Sequence, residues 1–284
     1  MTSPGPEALV VTQASLDDWS VIGGWAADEG WNPGQDDART FFAQDPEGFF
    51  IGRIDTEPVS AVSVVNYGAD YAFLGFYLVR PDLRGRGYGL TTWKAGLAHA
   101  GGRTVGLDGV VAQQDNYRRS GFELAHRTLR FTGAVPATRT PGGVQPAEAA
   151  DFASIAAYDS ACYPADRPRF LERWLTEPGH RAFVRVTDGR LTGYAVIRPA
   201  LDRPRIGPLF ADTAEDARAL LLGLAVGVPG GEVVVDIPET NAAGIALAEE
   251  FGLAPSFETA RMYTGPVRPF AGERVYGVTT LELG

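Results

Sequence analysis

The sequence predicts an α/β (α+β) protein made of two tandem units, each with a mixed central β-sheet flanked by helices. Three observations lead to this prediction. Strand-like and helix-like runs alternate along the 284 residues, a stretch rich in Pro, Gly and Thr separates two halves, and the second half repeats the order of the first. The length also suits two domains of about 100–200 residues each.

The first half begins with a predicted helix that starts at Ser15, because Ser15 and Asp18 have the spacing of a capping box. Further helices are predicted over residues 36–43, 90–99 and 113–120. Strands, rich in β-branched and aromatic residues, are predicted over residues 49–54, 59–65, 71–79, 104–110 and 122–131.

The second half follows a segment, GAVPATRTPGGVQP, that has no hydrophobic period. This segment places a first domain at residues 1–133, a linker at 134–146 and a second domain at 147–284. The predicted helices of the second domain cover residues 147–158, 166–175, 213–225 and 241–251. Its predicted strands cover residues 181–187, 191–198, 205–211, 232–237 and 256–264.

The two halves also end alike, with SGFELAHRTLRFTG over residues 120–133 and FGLAPSFETARMYTG over residues 251–265. Gly121 and Gly252 occupy corresponding positions in these endings. Duplication of one domain of about 130 residues explains the repeat. The alternative is a chance similarity between two endings of the same type.

The composition, 45% hydrophobic and 21% charged, is ordinary for a soluble globular protein. A formal net charge of −10 argues against nucleic acid as a partner, because such binding needs a basic surface. No apolar run reaches the roughly 18 residues that span a bilayer, so no membrane partner is expected. The N-terminus lacks signal-peptide features and Cys162 is the single cysteine, which predicts a cytoplasmic protein; a homo-oligomer stays open.

The most informative segment is a loop of the form R-x-x-G-x-G, from Arg84 to Gly89, between a predicted strand and a predicted helix. The backbone N–H groups of such a turn and of the first helical turn point to one place, where the helix dipole favours an anion. Glycine lets the backbone approach a phosphate closely. Arg84 and Arg86 add positive charge, so the segment predicts a phosphate site.

Two common phosphate-binding motifs fit this loop poorly. A P-loop needs G-x-x-x-x-G-K-[ST], and the Lys and the Ser or Thr are missing. A Rossmann fingerprint needs G-x-G-x-x-G after the first strand, whereas this loop follows the third or fourth predicted strand.

The loop and its flanks resemble the signature of the GNAT N-acetyltransferases, V-x-P-x-x-[RQ]-x-x-G-x-G/A. This resemblance implies acetyl-CoA as the cofactor, with its pyrophosphate on the amides of residues 84–89 and its pantetheine arm along Leu78 and Val79. A turn with a purely structural role is the alternative. The cofactor-binding residues that the resemblance implies are Leu78, Val79, Arg84, Gly85, Arg86, Gly87, Tyr88 and Gly89.

A second element, Tyr117 to Phe122, fits the Y-x-x-x-G-F of the same family. The resemblance implies that Tyr117 lies near the CoA sulfur and acts as the catalytic general acid. A phenol with a pKa near 10 stays protonated at neutral pH and can donate to a departing thiolate. A tyrosine packed at a helix end is the alternative.

The sequence departs from the family pattern in both halves. Where many members carry a glutamate base, residues 73 and 74 are apolar, which leaves water, Tyr77 or Asp108 as proton acceptors. In the second half no glycine pair follows residues 208–213, and Ala248 replaces the tyrosine. We therefore expect that the second unit does not bind CoA and instead walls the acceptor pocket, as in tandem acetyltransferases of bacteria.

These features predict an acyltransferase that moves an acetyl group from acetyl-CoA to the amine of a small molecule or peptide; the alternative is a non-catalytic acyl-CoA binding or sensing protein. No metal site is expected, because the three histidines have no ligand spacing. The apolar segment 275–283 is predicted to pair with a sheet edge. Four aromatic residues lie in or after the first two predicted helices: Trp25, Trp31, Phe41 and Phe42. They either line an apolar acceptor pocket or belong to the core.

Overall fold

The computed structural model describes residues 8–284, so residues 1–7 of the stretch inspected for a signal peptide lie outside the described residues. Its strands are β1 (Val10–Gln13), β2 (Phe49–Ile54), β3 (Glu57–Tyr67), β4 (Tyr71–Val79), β5 (Thr104–Val110), β6 (Glu123–Ala134), β7 (Val144–Pro146), β8 (Arg181–Thr187), β9 (Arg190–Arg198), β10 (Arg205–Ala211), β11 (Glu232–Pro238), β12 (Ala254–Tyr263) and β13 (Val275–Gly277). Its helices are α1 (Leu16–Asp28), α2 (Asp37–Gln44), α3 (Tyr88–Ala100), α4 (Gln114–Arg119), α5 (Phe152–Cys162), α6 (Pro168–Thr176), α7 (Ala214–Ala225) and α8 (Ala242–Glu250).

The strands form one mixed, continuous sheet in the order β1-β2-β3-β4-β5-β12-β6-β11-β10-β9-β8-β7, with β13 paired to β10. One strand of each half lies in the sheet of the other half, because β12 pairs with β5 and β6 pairs with β11. Strands β6 and β12 also pair with each other, antiparallel. The predicted mixed sheet is confirmed, but its two copies are joined through exchanged strands.

Most predicted elements are present, and the differences lie in short or irregular segments. The capping box is formed: the Asp18 amide donates to Ser15 Oγ at 3.2 Å, and Asp18 Oδ2 accepts from the Ser15 amide at 2.9 Å. Strands β1 and β7 were not predicted, and β7 lies within the predicted linker 134–146. Helix α5 begins later than predicted, after a 3-10 turn at Ala149–Asp151.

One face of the sheet carries a single core that both halves share. Helices α1, α2, α5 and α6 pack there, and the Phe41 ring stacks on Trp174 with centroids 6.3 Å apart. On the opposite face, α3 and α4 cover the first half while α7 and α8 cover the second, each with its own core. The shared core and the exchanged strands together fix the two halves against each other.

Two buried ion pairs fasten the exchanged strands at corresponding positions. Asp108 on β5 stands directly opposite Arg261 on β12, with N–O distances of 2.9 and 2.6 Å. Asp236 on β11 stands opposite Arg130 on β6 at 2.7 and 3.1 Å, and Arg205 donates to Asp236 as well. Because a buried charge needs a partner, these pairs favour the exchanged pairing over any other register.

The two carboxylates differ electrostatically. Burial raises the pKa of Asp108 against the opposing effect of Arg261. Burial also acts to raise the pKa of Asp236, but two guanidinium groups outweigh it and lower this pKa to about 2. The difference follows from the number of arginines, one beside Asp108 and two beside Asp236.

Candidate active site

A cleft of about 420 Å³ opens between β4 and β5. These parallel strands pair only over residues 71–74 and 104–107, and beyond this point they separate. The carboxyl ends of parallel strands are a usual place for a ligand in an open α/β sheet. The cleft runs from the glycine loop after β4 to the exchanged strand β12.

Strand β4 bulges where it borders the cleft. Its register against β3 shifts between Gly75 and Leu78, and Phe76 there has a φ of 47°. Positive φ is uncommon for a bulky residue, and bulges and strained residues cluster at functional sites. The bulge releases part of β4 from the ladder and turns it toward the cleft.

The glycine loop presents unbonded amides to the same cleft. Gly85 has a φ of 78° and Gly87 a φ of 87°, and a Cβ at either position would meet nothing within 4 Å. Glycine is therefore required by the backbone conformation and not by crowding. Over residues 8–284, no carbonyl group accepts a hydrogen bond from the amides of residues 85–89. These donors, at the start of α3, fit the pyrophosphate of an acyl-CoA.

The two loop arginines take different positions. The Arg84 guanidinium turns back, donates to the Val79 carbonyl at 3.0 Å and pairs with Glu29 at the end of α1. The backbone amide of Arg84 donates a long hydrogen bond, of 3.4 Å, to the Pro81 carbonyl. Arg86 is exposed and does not line the cleft. All other residues predicted to bind the cofactor line it: Leu78, Val79, Arg84, Gly85, Gly87, Tyr88 and Gly89.

Tyr117, the predicted general acid, lies on α4 with its ring against β5. The ring fits there because residue 109 is glycine; a Cβ on Gly109 would lie 2.2 Å from the Tyr117 ring. Trp93 of α3 stacks on the other side, with centroids 5.7 Å apart. Burial, and to a lesser extent Tyr77, raises the pKa of Tyr117, so the phenol stays protonated at neutral pH. Tyr117 also lines the cleft.

The two proton acceptors considered from sequence both line the cleft, but they differ in availability. Both carboxylate oxygens of Asp108 accept from Arg261, and its side chain is fully buried. Tyr77 is half-buried, and burial raises its pKa, so at neutral pH it is a neutral phenol without a phenolate oxygen to take a proton. Neither Asp108 nor Tyr77 therefore has a free anionic oxygen that could take a proton from the acceptor amine.

Sequence reasoning missed the residues that form the inner end of the cleft. Phe257 and Thr259 come from the exchanged strand β12, and Leu281 and Glu282 come from the segment after β13. Only the exchanged pairing and the path of the C-terminal segment bring them there, and no local pattern indicates either. Of the four aromatic residues considered for an acceptor pocket, only Trp31 lines the cleft. The others pack in or against the shared core: Trp25, Phe41 and Phe42.

The corresponding space in the second half is filled by the chain itself. Strands β10 and β11 pair only at Arg205 and Ile206, and then separate as β4 and β5 do. Strand β13 enters the gap, pairs antiparallel with β10, and the Val278 amide donates to the Asp236 carbonyl at 2.8 Å. The predicted pairing of this segment with a sheet edge is wrong, because the gap offers unpaired backbone groups inside the sheet.

The start of α7 differs from the start of α3 in the same way. Thr213 caps α7 by accepting from the Asp216 amide at 3.1 Å. Asp216 accepts from Arg185 and Thr192, and Asp212 accepts from Tyr158 at 2.8 Å. The acidic side chains are held by neighbouring residues at the place where a phosphate would need donors.

Comparison with known proteins follows the same division of the chain. The acetyltransferase (GNAT) family matches residues 13–122, and an acetyltransferase (GNAT) domain matches residues 155–277. The holothin acyltransferase of Pseudoalteromonas sp. (strain SANK 73390) is 34% identical over 273 residues, which cover 95% of this chain and 93% of that protein.

Two solved structures share the fold. A proposed acetyltransferase from Pyrococcus horikoshii has a TM-score of 0.84 at 20% identity, covering 100% of this chain and 98% of that one. A tandem GNAT protein from the clavulanic acid biosynthesis pathway has a TM-score of 0.61 at 17% identity, covering 91% of this chain and 99% of that one.

The fold and the two matched regions define a transferase with two domains of one type in tandem. The chain belongs to the GNAT acetyltransferase family and is an acyltransferase. Enzymes of this family use an acyl-CoA donor and an amine-bearing acceptor. The predicted family and catalytic class are confirmed, which sets aside a purely sensing protein. No helix within residues 8–284 is long and apolar enough to cross a membrane.

Proposed function

We propose that this protein transfers the acetyl group of acetyl-CoA to the amine of a small acceptor in the cleft of its N-terminal unit. One observation carries the proposal. The unbonded amides of the glycine loop, the bulged strand β4 and the buried phenol of Tyr117 all border one continuous cleft. In the described part of the second unit, strand β13 lies where the cleft would be.

Each of these features has a task in the proposed reaction. The amides of residues 85–89 and the dipole of α3 bind the pyrophosphate, while Leu78 and Val79 align the pantetheine arm along β4. Acetyl-CoA supplies the thioester carbonyl that the amine attacks. The cleft positions the amine beside this carbonyl, which replaces a bimolecular encounter by a pre-oriented one. Tyr117 donates its proton to the departing sulfur.

The acceptor we propose is a small amine with an apolar body. Trp31, Phe257 and Leu281 give the inner end of the cleft an apolar surface, and the volume of about 420 Å³ suits a small molecule better than a folded protein. Holothin is the first acceptor to test, since the relative that covers most of this chain is a holothin acyltransferase.

The second unit, in this proposal, binds no CoA. It supplies the inner wall of the acceptor pocket through β12 and the segment after β13. The proposed domains remain residues 1–133 and 147–284, joined by residues 134–146, although their strands are interleaved in the sheet. A buried single cysteine, Cys162, agrees with a cytoplasmic enzyme.

The test combines a binding and a rate measurement on the full chain. Calorimetry with acetyl-CoA is expected to give one site per chain. Thiol release from acetyl-CoA is then followed with holothin and a panel of aliphatic and aromatic amines, and at least one amine is expected to accelerate it. Absence of acetyl-CoA binding, or thiol release that no amine accelerates, would overturn the proposal.

A further inference from the structure

Glu282 reaches the cleft from outside the N-terminal unit, on the segment that follows β13. Its backbone carbonyl lies against the bulge of β4, where a Cβ on Gly75 would come within 2.1 Å of it. The next carbonyl, that of Leu283, accepts hydrogen bonds from Tyr67 at 3.1 Å and Tyr163 at 2.9 Å. The segment is therefore fixed to both units at the position of Glu282.

One carboxylate oxygen of Glu282 is held and the other is free. Glu282 Oε1 accepts from Arg205 at 3.1 Å, while no donor of residues 8–284 reaches Oε2. The residue is only 4% exposed. A buried carboxylate oxygen without a donor is unfavourable, so this position favours a ligand that brings an N–H group.

The charged groups near Glu282 are already engaged with other partners, which leaves Glu282 Oε2 available to a ligand. Arg205 already donates to Asp236 and to the Asn32 carbonyl in addition to Glu282. Asp108 has both oxygens engaged by its arginine, and Glu29 pairs with the loop arginine at the start of the cleft. Arg84 engages only one oxygen of Glu29, but that side chain is 33% exposed to solvent at the start of the cleft. Of the cleft carboxylates in the described chain, Glu282 is thus the buried one with an oxygen left for an amine.

Resting on the proposed function, we propose that Glu282 is the catalytic carboxylate that receives the acceptor amine and takes its proton. The amine donates an N–H to Oε2 while its apolar body lies against Trp31 and Phe257. As nitrogen replaces sulfur on the acyl carbon, Tyr117 protonates the sulfur and Glu282 takes the proton that nitrogen gives up. Solvent then removes one proton from Glu282 and returns one to Tyr117, so the protein is unchanged.

This arrangement also selects among amines. Three carboxylates, Glu29, Asp108 and Glu282, line the cleft, so an acceptor that carries its own carboxylate beside the amine is repelled. Amines on an uncharged apolar group are accepted. The predicted acceptors therefore exclude free amino acids.

The test uses the E282Q variant of the full chain, which keeps the shape and an oxygen for Arg205 but cannot take a proton. Binding of holothin and of benzylamine to the protein with CoA is measured by calorimetry, which needs no turnover. We expect about tenfold weaker amine binding, about 100-fold slower transfer and unchanged acetyl-CoA affinity. The matched control is E177Q, which alters another buried carboxylate, away from the cleft, and should leave all three values unchanged.

The outcomes separate this inference from the proposed function. If the native protein binds acetyl-CoA but E282Q binds and acetylates amines like the native protein, Glu282 is not the receiving carboxylate. If the native protein binds acetyl-CoA and neither amine, the inference fails as well. If it does not bind acetyl-CoA at all, the proposed function itself fails.

Discussion

In both units two parallel strands separate and leave a gap in the sheet, but only in the first unit does this gap stay open. In the first unit β4 and β5 separate and leave a cleft, whereas in the second unit β10 and β11 separate and β13 occupies the space. One copy of the fold thus keeps an open cleft, and the other uses the same geometry to hold strand β13. Common ancestry of fold does not imply common function, because function depends on what fills the site.

The helices that follow these gaps differ in charge as well. Helix α3 begins after two glycines with free amides, and α7 begins with a threonine cap and acidic side chains that are already bonded. An anion is attracted to the first and repelled by the second. The comparison therefore predicts one acetyl-CoA per chain, which the following variants test.

The largest expected effect is that of Gly87→Val in the glycine loop. A β-branched residue cannot adopt the φ of 87° without strain, so the loop must rearrange and the amides no longer converge. Acetyl-CoA binding should weaken about 100-fold or more in calorimetry.

The control for this variant is Gly189→Val in the β8–β9 turn of the second unit. Gly189 has a φ of 74° and is equally uncrowded, so the backbone cost should be similar while acetyl-CoA binding stays native. Native affinity in Gly87→Val, or two acetyl-CoA molecules per native chain, would contradict the comparison between the units.

The next largest effect is expected for Tyr117→Phe, which removes the donor that the second unit lacks. Burial keeps this phenol protonated, so it can donate its proton to the departing sulfur. Its loss should therefore lower kcat by roughly 10²–10⁴ while acetyl-CoA affinity is unchanged. Thiol release at saturating acetyl-CoA measures the rate. Tyr276→Phe, in the core of the second unit, is the control and should not change kcat; a native kcat in Tyr117→Phe would remove the residue from this role.

The smallest effects concern the two ion pairs that join the units. Asp236→Asn should cost about 3–5 kcal/mol in the free energy of unfolding, because Arg130 and Arg205 lose a shared partner. Asp108→Asn should cost less, since only Arg261 is left unpaired and burial already raises the pKa of Asp108. Urea unfolding gives both values, and the reverse ranking would show that the count of arginines does not decide stability here.

The contributions of Asp236 and Asp108 to stability are expected to change in opposite directions in acid. The pKa of Asp236 is lowered from 3.8 to about 2, so its stabilisation is complete above about pH 4 and is lost as pH falls toward 2. The stability difference between native protein and Asp236→Asn should shrink over that interval. For Asp108 the pKa is raised, so protonation in mild acid favours the folded state. Urea unfolding from pH 5 to about pH 2 checks both signs.

Local patterns in the sequence predict most of this structure, and contacts between distant segments account for the rest. The capping box at Ser15, the glycine loop and the tyrosine on α4 depend on neighbours in the chain, and the structure has each element in place. The strand exchange depends on β5 meeting β12, which no periodicity encodes. A signal was present, since Arg130 and Arg261 recur in the two similar endings and Asp108 and Asp236 recur in the preceding strands.

The inner half of the site escaped prediction for the same reason. Residues 257, 259, 281 and 282 belong to the second unit in sequence, yet they line the cleft of the first. A short apolar stretch such as β13 predicts a strand but not its partner, because an internal gap cannot be told from an edge. Residues 73 and 74 of β4 carry no carboxylate, and the base that we propose, Glu282, lies on a segment remote in sequence.

The interleaved strands also determine how the chain folds and where it can be truncated. Strand β5 gains its second neighbour only when β12 has been synthesised, so the nascent N-terminal half carries an unpaired edge until almost the whole chain is made. Pairings this distant in sequence slow folding and expose the intermediate to aggregation. A truncated version ending at residue 133 should therefore not behave as an independent enzyme, and chaperone protection during synthesis would benefit this protein more than one built from two self-contained domains.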